Sequence, residues 1–157
     1  MPESAGLYVA YDAGLTKARL FALRASNGKA RWRSPLIGLD QSWPAVANGI
    51  VYVGDSSGTV DAFNATTGAP VWQFTASANV EATPVVANGV VYDSAGDGTL
   101  YALAAATGKK LASFGVGTAM IAPAVVAGGA GYVGNYDQRL HAFALPGQHA
   151  PHHPGNF

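Results

Sequence analysis

The sequence predicts an all-β fold, a β-propeller of four-stranded antiparallel blades with about four repeat units, two of them partial. Residues of the same type recur at intervals of 40 positions along the 157-residue chain. Each interval divides into four short strand-like runs separated by turn sequences. No segment has both the length and the 3.6-residue periodicity of an amphipathic helix, which disfavours an α/β fold.

The 40-residue repeat is carried by several residue types. The recurring positions are Ala22, Ala62, Ala102 and Ala142, then Gly28, Gly68 and Gly108, then Tyr52, Tyr92 and Tyr132, and, at intervals of 40 and 39, Pro44, Pro84 and Pro123. This period is typical of propeller blades. We therefore divide 1–147 into a partial blade 7–41, blades 42–81 and 82–121, and a partial blade 122–147, followed by a flexible Pro/His-rich tail 148–157.

The elements of one blade can be read in order along 82–121. The run "PVVA" is a short first strand, and Asn88-Gly89 supplies the positive φ of a two-residue hairpin turn. The β-branched run "VVYDS" follows, and the turn sequence "AGDG" ends it. "TLYAL" is the third strand, and after the Thr107-Gly108 turn "KLASF" forms the fourth. The unit is a four-stranded antiparallel meander.

The two outer units are incomplete. The first lacks most of its opening strand and has four extra residues near Leu15, and the last stops after its third strand. Three assemblies remain open: half of an eight-bladed ring completed by a second chain, an arc of a longer propeller, or a compact four-bladed ring. In an open arc we expect two exposed apolar faces and head-to-tail self-association, with Val125 and Phe143 on the C-terminal face.

Composition excludes several classes of function. Nine basic and nine acidic side chains cancel, which disfavours the positive field that a nucleic-acid partner requires. The chain has no cysteine, so disulfides, thiol catalysis and thiolate metal sites are excluded. No apolar run approaches the roughly 20 residues of a membrane-spanning helix. We expect no nucleic-acid partner and no membrane span.

One phrase recurs in the turn between the third and fourth strands. It reads "ALRASNGKARW" at 22–32, "AFNATTGAPVW" at 62–72 and "ALAAATGKKLA" at 102–112. The middle copy resembles the tryptophan-docking motif of the pyrroloquinoline-quinone-type (PQQ-like) propeller repeat. That family includes quinoprotein alcohol dehydrogenases, an outer-membrane assembly lipoprotein and other bacterial propeller domains.

The resemblance implies that the Trp of one blade stacks on the Thr-Gly turn of its neighbour. The predicted blade-docking residues are Trp32, Trp72, Gly28, Gly68, Gly108, Thr67 and Thr107. A ligand-contact role is the alternative. The motif is altered where Arg24 and Ala104 replace the acidic or amide residue, Asn27 replaces Thr, and Ala112 replaces Trp. We expect the third docking contact to be weak or absent.

The residues give no sign of the family's quinone chemistry. The resemblance implies a quinone beside a Ca²⁺ or lanthanide ion, an Asp base and usually a cysteine pair, and the chain has no cysteine. Asp93 and Asp97 in "DSAGDG" lack the spacing of a calcium loop and are read as turn residues. His141 is read as a strand-surface residue, and the other histidines, His149, His152 and His153, lie in the tail. We predict no catalytic, cofactor-binding or metal-binding residue and no cofactor.

The predicted function is a non-catalytic protein-interaction or sensor scaffold, not an enzyme. The resemblance implies a periplasmic or extracellular location. Two alternatives remain: a fragment of a PQQ-dependent dehydrogenase whose active-site residues lie outside this chain, and a purely self-assembling structural unit.

Overall fold

The computed structural model describes residues 6–12, 18–35, 42–120, 122–136 and 138–146. Within these residues the regular secondary structure is entirely β, in four antiparallel sheets. This confirms the predicted all-β class and the antiparallel blades. The predicted tail and the site of the extra residues near Leu15 lie outside the described residues.

The sheets follow one another along the chain as blades 1 to 4. Blade 1 contains β1 (Gly6–Asp12), β2 (Ala18–Arg24) and β3 (Ala30–Pro35). Blade 2 contains β4 (Ala45–Ala47), β5 (Ile50–Gly54), β6 (Thr59–Asn64) and β7 (Pro70–Thr75). Blade 3 contains β8 (Val85–Ala87), β9 (Val90–Ser94), β10 (Thr99–Ala104) and β11 (Lys110–Gly115). Blade 4 contains β12 (Val125–Ala127), β13 (Ala130–Gly134) and β14 (Leu140–Ala144).

Each sheet is a meander in which sequential strands pair. Asn88 and Gly89 have φ of 51° and 75°, as expected for the primed turn that joins β8 to β9. A β-bulge interrupts the pairing with the outermost strand at the same place in blades 1 to 3, directly after Ala22, Ala62 and Ala102. The recurring alanine therefore marks a fixed backbone irregularity as well as a buried position.

The blades stack face to face. Alternate side chains of a strand point to opposite faces; we call the face toward the next blade in the chain the rear face and the other the front face. Three buried clusters fill the spaces between successive blades. The one between blades 2 and 3 includes Tyr52, Val60 and Ala62 from the rear face of blade 2 and Val91, Tyr101 and Leu103 from the front face of blade 3.

The two ends of each blade differ. At the hairpin end, the amides of Ala65 and Ala105 donate to the carbonyls of Gly49 and Gly89, which ties the two turns of a blade together. At the connection end, the segment after β7 packs on the turn between β5 and β6, where Val80 N donates to Asp55 O at 3.0 Å. Loops of neighbouring blades meet there, because Gly96 N donates to Asn79 O at 2.8 Å.

One expected side-chain position is wrong. Phe143 was expected on the open C-terminal face, but its ring packs against Phe114 of blade 3, with centroids 4.8 Å apart. Phe143 therefore belongs to the front face of blade 4 and to an interior interface. Val125 does lie on the open side and is 62% exposed. Among the described residues, no helix is long and apolar enough to cross a membrane.

Candidate functional site

The tryptophan of blade 1 lies on the Thr-Gly turn of blade 2. A Cβ built on Gly68 would come within 2.6 Å of two carbons of the Trp32 ring, so the indole rests directly on the glycine. Trp32 Nε1 donates to the carbonyl oxygen of Ala65 at 3.0 Å. Ser34 Oγ also donates to Gly68 O, at 2.6 Å. The turn is held by a flat apolar contact and two polar contacts.

The same arrangement recurs one blade later. A Cβ on Gly108 would lie 2.7 Å from two carbons of the Trp72 ring, and Trp72 Nε1 donates to Ala105 O at 2.8 Å. Both glycines have positive φ, 73° at Gly68 and 71° at Gly108. A side chain at either position would be strained by the backbone and would collide with the indole.

A tyrosine shares each of these carbonyl acceptors, a feature that sequence reasoning missed. Tyr8 donates its hydroxyl to Ala65 O at 3.0 Å, and Tyr52 donates to Ala105 O at 3.1 Å. The Tyr52 and Trp72 rings are 5.7 Å apart. The sequence signal for this feature was the tyrosine that recurs every 40 residues, at Tyr52, Tyr92 and Tyr132.

The other predicted docking residues lie in different surroundings. Gly28 has the same positive φ, 67°, but a Cβ there would meet nothing within 4 Å. Thr67 and Thr107 are exposed, and their hydroxyls accept long hydrogen bonds from Ala69 N and Lys109 N, at 3.3 and 3.4 Å, within their own turns. Through these bonds the two threonines contact their own turns and not the indoles.

The interface between blades 3 and 4 has no indole, since Ala112 occupies the tryptophan position. Aromatic contact there comes from Phe114 and Phe143. Leu145 is buried next to Gly131. His141 is half-buried and stacks on Phe143, with centroids 6.4 Å apart, so it is less surface-exposed than expected.

Acidic residues at the connection end are engaged in turns. The Asp55 carboxylate accepts hydrogen bonds from Ser57 N and Thr59 N, both at 2.9 Å. Asp97 accepts from Thr99 N and from the Ser77 hydroxyl of the preceding blade. Desolvation raises the pKa of Asp97, but these hydrogen bonds outweigh it and the net pKa is lowered.

Two other carboxyl groups are buried on front faces. Burial raises the pKa of Asp61 to about 6, although a hydrogen bond from Gln73 partly opposes this shift and nearby Asp55 adds to it. Asp93 is fully enclosed, and desolvation raises its pKa well above the ordinary value despite a hydrogen bond from Ser94 N. Asp93 Oδ2 has no hydrogen-bond partner.

The described residues contain no cluster of acidic and histidine side chains of the kind that binds a metal ion. In this part of the chain, no group of three or more His, Cys, Asp or Glu side chains is placed to hold a metal ion. Asp93 lies on a buried blade face, whereas Asp97 lies in an exposed turn. The "DSAGDG" segment is thus a strand end followed by a turn.

Two aromatic side chains are exposed at the connection end. Trp43 is 78% exposed directly before β4, and Tyr136 is 67% exposed after β13. Tyr136 lines a cavity of about 210 Å³ together with Ala119, Ala122, Gly134 and Asn135. Trp43 lies outside the docking motif, so the repeat pattern predicted no role for it.

The outward faces of blades 1 and 4 are open. Leu7, on the front face of blade 1, is 57% exposed, and Leu140, on the rear face of blade 4, is 72% exposed. The residues at the same register positions inside the stack, Val51 and Val91 for Leu7 and Val60 and Leu100 for Leu140, are fully buried. The described residues form an open arc and not a closed four-bladed ring.

Comparison with known proteins assigns the chain to a family. Its sequence matches the family model of the outer membrane protein assembly factor BamB over residues 16–145. The chain belongs to this family. The match confirms the resemblance to the PQQ-like propeller repeat. Comparison with curated proteins gives no significant match.

Solved structures with the same fold include the BamB protein of Moraxella catarrhalis, with a TM-score of 0.79, 22% identity, 91% of this chain covered and 47% of that one. A europium-containing methanol dehydrogenase has a TM-score of 0.60, 18% identity and coverage of 69% and 22%. The computationally designed Ika4 protein has a TM-score of 0.70, 16% identity and coverage of 91% and 92%. The likeness to these structures establishes the fold, a propeller, and the chain spans about half the length of the BamB structure.

Proposed function

We propose that this chain is a non-catalytic PQQ-like propeller module that serves as a protein-interaction scaffold. The observation that carries the proposal is the pair of open blade faces marked by Leu7 and Leu140. Contiguous apolar surface exposed on a folded domain is typical of a protein contact site. Membership of the BamB family supports this reading, because BamB is an assembly factor.

Self-association is the interaction that the chain's own surfaces favour. Burial of apolar surface contributes roughly 25 cal/mol for each Å², so a covered blade face supplies several kcal/mol before association entropy is subtracted. Head-to-tail pairing of two copies produces an eight-bladed ring if the rotation closes. Two copies also supply close to the length of the single BamB chain, of which one copy covers 47%.

Light scattering coupled to gel filtration tests self-association. We expect the mass of a dimer, because each copy has one open front face and one open rear face. A monomer at high protein concentration would contradict the ring. The scaffold proposal would then depend on a different protein partner for the open faces.

A fragment of a quinoprotein dehydrogenase is the second candidate. The likeness to the europium-containing methanol dehydrogenase, which covers 69% of this chain, favours it. Three of the described carboxylates argue against it, because Asp55 and Asp97 are bonded within turns and Asp93 is buried between blades.

Calorimetric titration with pyrroloquinoline quinone, with and without Ca²⁺, distinguishes the two candidates. We expect no saturable binding and no dye-linked oxidation of alcohols. A one-to-one complex of micromolar affinity would contradict the non-catalytic reading and favour the dehydrogenase fragment. Bovine serum albumin serves as the control for nonspecific quinone adsorption.

A further inference from the structure

We infer the register of the contact that closes the ring: the Tyr132 hydroxyl of one copy donates to the Ala25 carbonyl oxygen of a second copy. This inference rests on the proposed self-association and specifies its partner and geometry. The rear face of blade 4, with Tyr132, Leu140 and Ala142, lies against the front face of blade 1, with Leu7, Phe21 and Leu23.

The interfaces between blades 1 and 2 and between blades 2 and 3 provide the template for the donor. Tyr8 and Tyr52 each donate to a carbonyl of the next blade, at 3.0 and 3.1 Å. Tyr132 occupies the same place in its blade, because it pairs with Ala142 just as Tyr52 pairs with Ala62. It is only half-buried, whereas Tyr52 is fully buried. Tyr132 is therefore a donor on a blade face that no other blade of the described residues covers.

The acceptor position is also present in the first blade. Ala65 and Ala105, whose carbonyls accept the interior tyrosines, are the first residues after β6 and β10. Ala25 is the first residue after β2 and is exposed. The turn that follows is the same, since Gly28 N donates to Arg24 O at 2.8 Å as Gly68 N does to Asn64 O.

The apolar residues match in the same register. Inside the stack, Val60 of blade 2 and Val91 of blade 3 belong to one buried cluster. Leu140 holds the position of Val60, and Leu7 holds that of Val91. Placing the two open faces together therefore brings Leu140 and Leu7, both largely exposed, into one apolar core.

The new interface needs no tryptophan. Gly28 has open space where the indoles cover Gly68 and Gly108. The interface between blades 3 and 4 already packs with Ala112 at the tryptophan position. A ring-closing contact without an indole is thus of a kind that this chain already contains.

The donor and acceptor lie on different faces, which selects head-to-tail pairing. Two rear faces placed together would oppose Tyr132 to Tyr132 and supply neither copy with the turn carbonyl. Two front faces would leave both tyrosines uncovered. Only the heterologous pairing brings together the donor and acceptor that meet between blades 1 and 2 and between blades 2 and 3.

The test uses two charge variants, Leu140→Asp and Leu7→Lys, alone and mixed. Alone, each variant places a charge in every ring interface, so we expect the dimer to be lost by light scattering. In an equimolar mixture, one of the two interfaces contains only unaltered faces, so dimer returns. Leu111→Asp, at an exposed apolar residue on the outermost strand of blade 3, is the matched control and stays dimeric.

A milder variant tests the hydrogen bond itself. Tyr132→Phe is expected to raise the dimer dissociation constant about 25-fold, because it removes one neutral hydrogen bond, worth about fivefold, from each of the two interfaces of the ring. Tyr136→Phe, at an exposed tyrosine of the same blade, is expected to leave it unchanged. An unchanged constant for Tyr132→Phe would contradict the assigned register even if a charge variant failed to fold.

The outcomes of these tests distinguish failure of this inference from failure of the proposed self-association. A dimer lost in Leu140→Asp but kept in Leu7→Lys would indicate pairing of like faces and overturn the inference, while self-association would stand. If both charge variants remain dimeric, the inference is also overturned and self-association stands. A monomeric parent chain would overturn both the inferred register and the proposed self-association.

Discussion

At the scale of single residues, blade 1 contacts blade 2, and blade 2 contacts blade 3, through a few side chains and one backbone carbonyl at each interface. Trp72 and Tyr52 both donate to Ala105 O, and the Trp72 ring covers Gly108. A carbonyl has two lone pairs, so it can accept both donors without strain. Each such contact joins a strand residue of one blade to a turn of the next.

Trp72→Ala should reduce the free energy of unfolding by about 3 kcal/mol, the lower part of the range for Trp truncation, because the indole is half-buried. Urea unfolding followed by circular dichroism measures the change. Trp43→Ala is the matched control, since Trp43 is largely exposed, and we expect almost no effect. Equal midpoints for the Trp72 variant and the parent would show that the docking contact contributes nothing.

Asp93→Val should stabilise the fold at pH 7 by about 1 to 3 kcal/mol, the usual penalty for a buried polar group without a full set of partners. Val53 and Val133 occupy the same register position in the neighbouring blades and are buried. A substitution that lowers stability instead would show that Asp93 has a partner or role that blade packing does not supply.

The pH dependence of this effect has a definite sign. Desolvation raises the folded-state pKa of Asp93, so the folded protein binds more protons than the unfolded one. The stability linked to Asp93 is fully present below the unfolded-state pKa and is lost as pH rises through the folded-state pKa. The gain from Asp93→Val should therefore shrink at pH 4. Asp97→Asn is the control, with a dependence of the opposite sign because the pKa of Asp97 is lowered.

At the scale of the blade, stability depends on turns as much as on strands. Gly28, Gly68 and Gly108 end the same turn with positive φ, but an indole covers only the last two. The three turns are alike in backbone and differ in what lies on them. They therefore allow the cost of the backbone conformation to be separated from the cost of losing the docking contact.

Gly108→Ala should destabilise more than Gly28→Ala. Both variants incur the strain of a left-handed residue, about 1 kcal/mol. Only the added Cβ at Gly108 collides with an indole, at 2.7 Å. Thermal unfolding of the two variants measures the difference directly. Equal losses at the two positions would indicate that the indole contact has no energetic weight.

Much of a blade was predictable from its sequence, because turn chemistry and period-two alternation are local. Asn88-Gly89 and the strand runs were located correctly. Alternation shows which residues share a face but not which neighbour that face meets, so Phe143 was placed on the wrong side. The tyrosine donor was missed since its acceptor, Ala105 O, is a backbone atom 53 positions away.

At the scale of the whole molecule, the chain is a stack of blades whose stability lies largely in the spaces between them. Each interior blade buries both faces, as Leu103 and Leu100 of blade 3 illustrate. Each outer blade buries only one. In such a linear array the terminal units are the least stable unless something covers them.

The melting temperature should therefore rise with protein concentration. For a dimer of this size we expect about 2 °C for each tenfold increase, since binding of the folded state adds to its stability. Differential scanning calorimetry over a range of concentrations measures the shift, with Leu140→Asp as the control that shows none. A melting temperature independent of concentration in the parent chain would contradict coverage of the open faces by a second copy.

The shared acceptors, Ala65 O and Ala105 O, belong to the main chain and not to side chains. Every repeat presents such a carbonyl whatever residue occupies that position, so point mutation can remove a donor side chain but not the acceptor that it meets. Repeats of this kind are interchangeable: one can be duplicated, deleted or recombined with another and still meet its neighbours correctly. Diversity in the number of blades can thus arise by copying alone, without the evolution of a new interface.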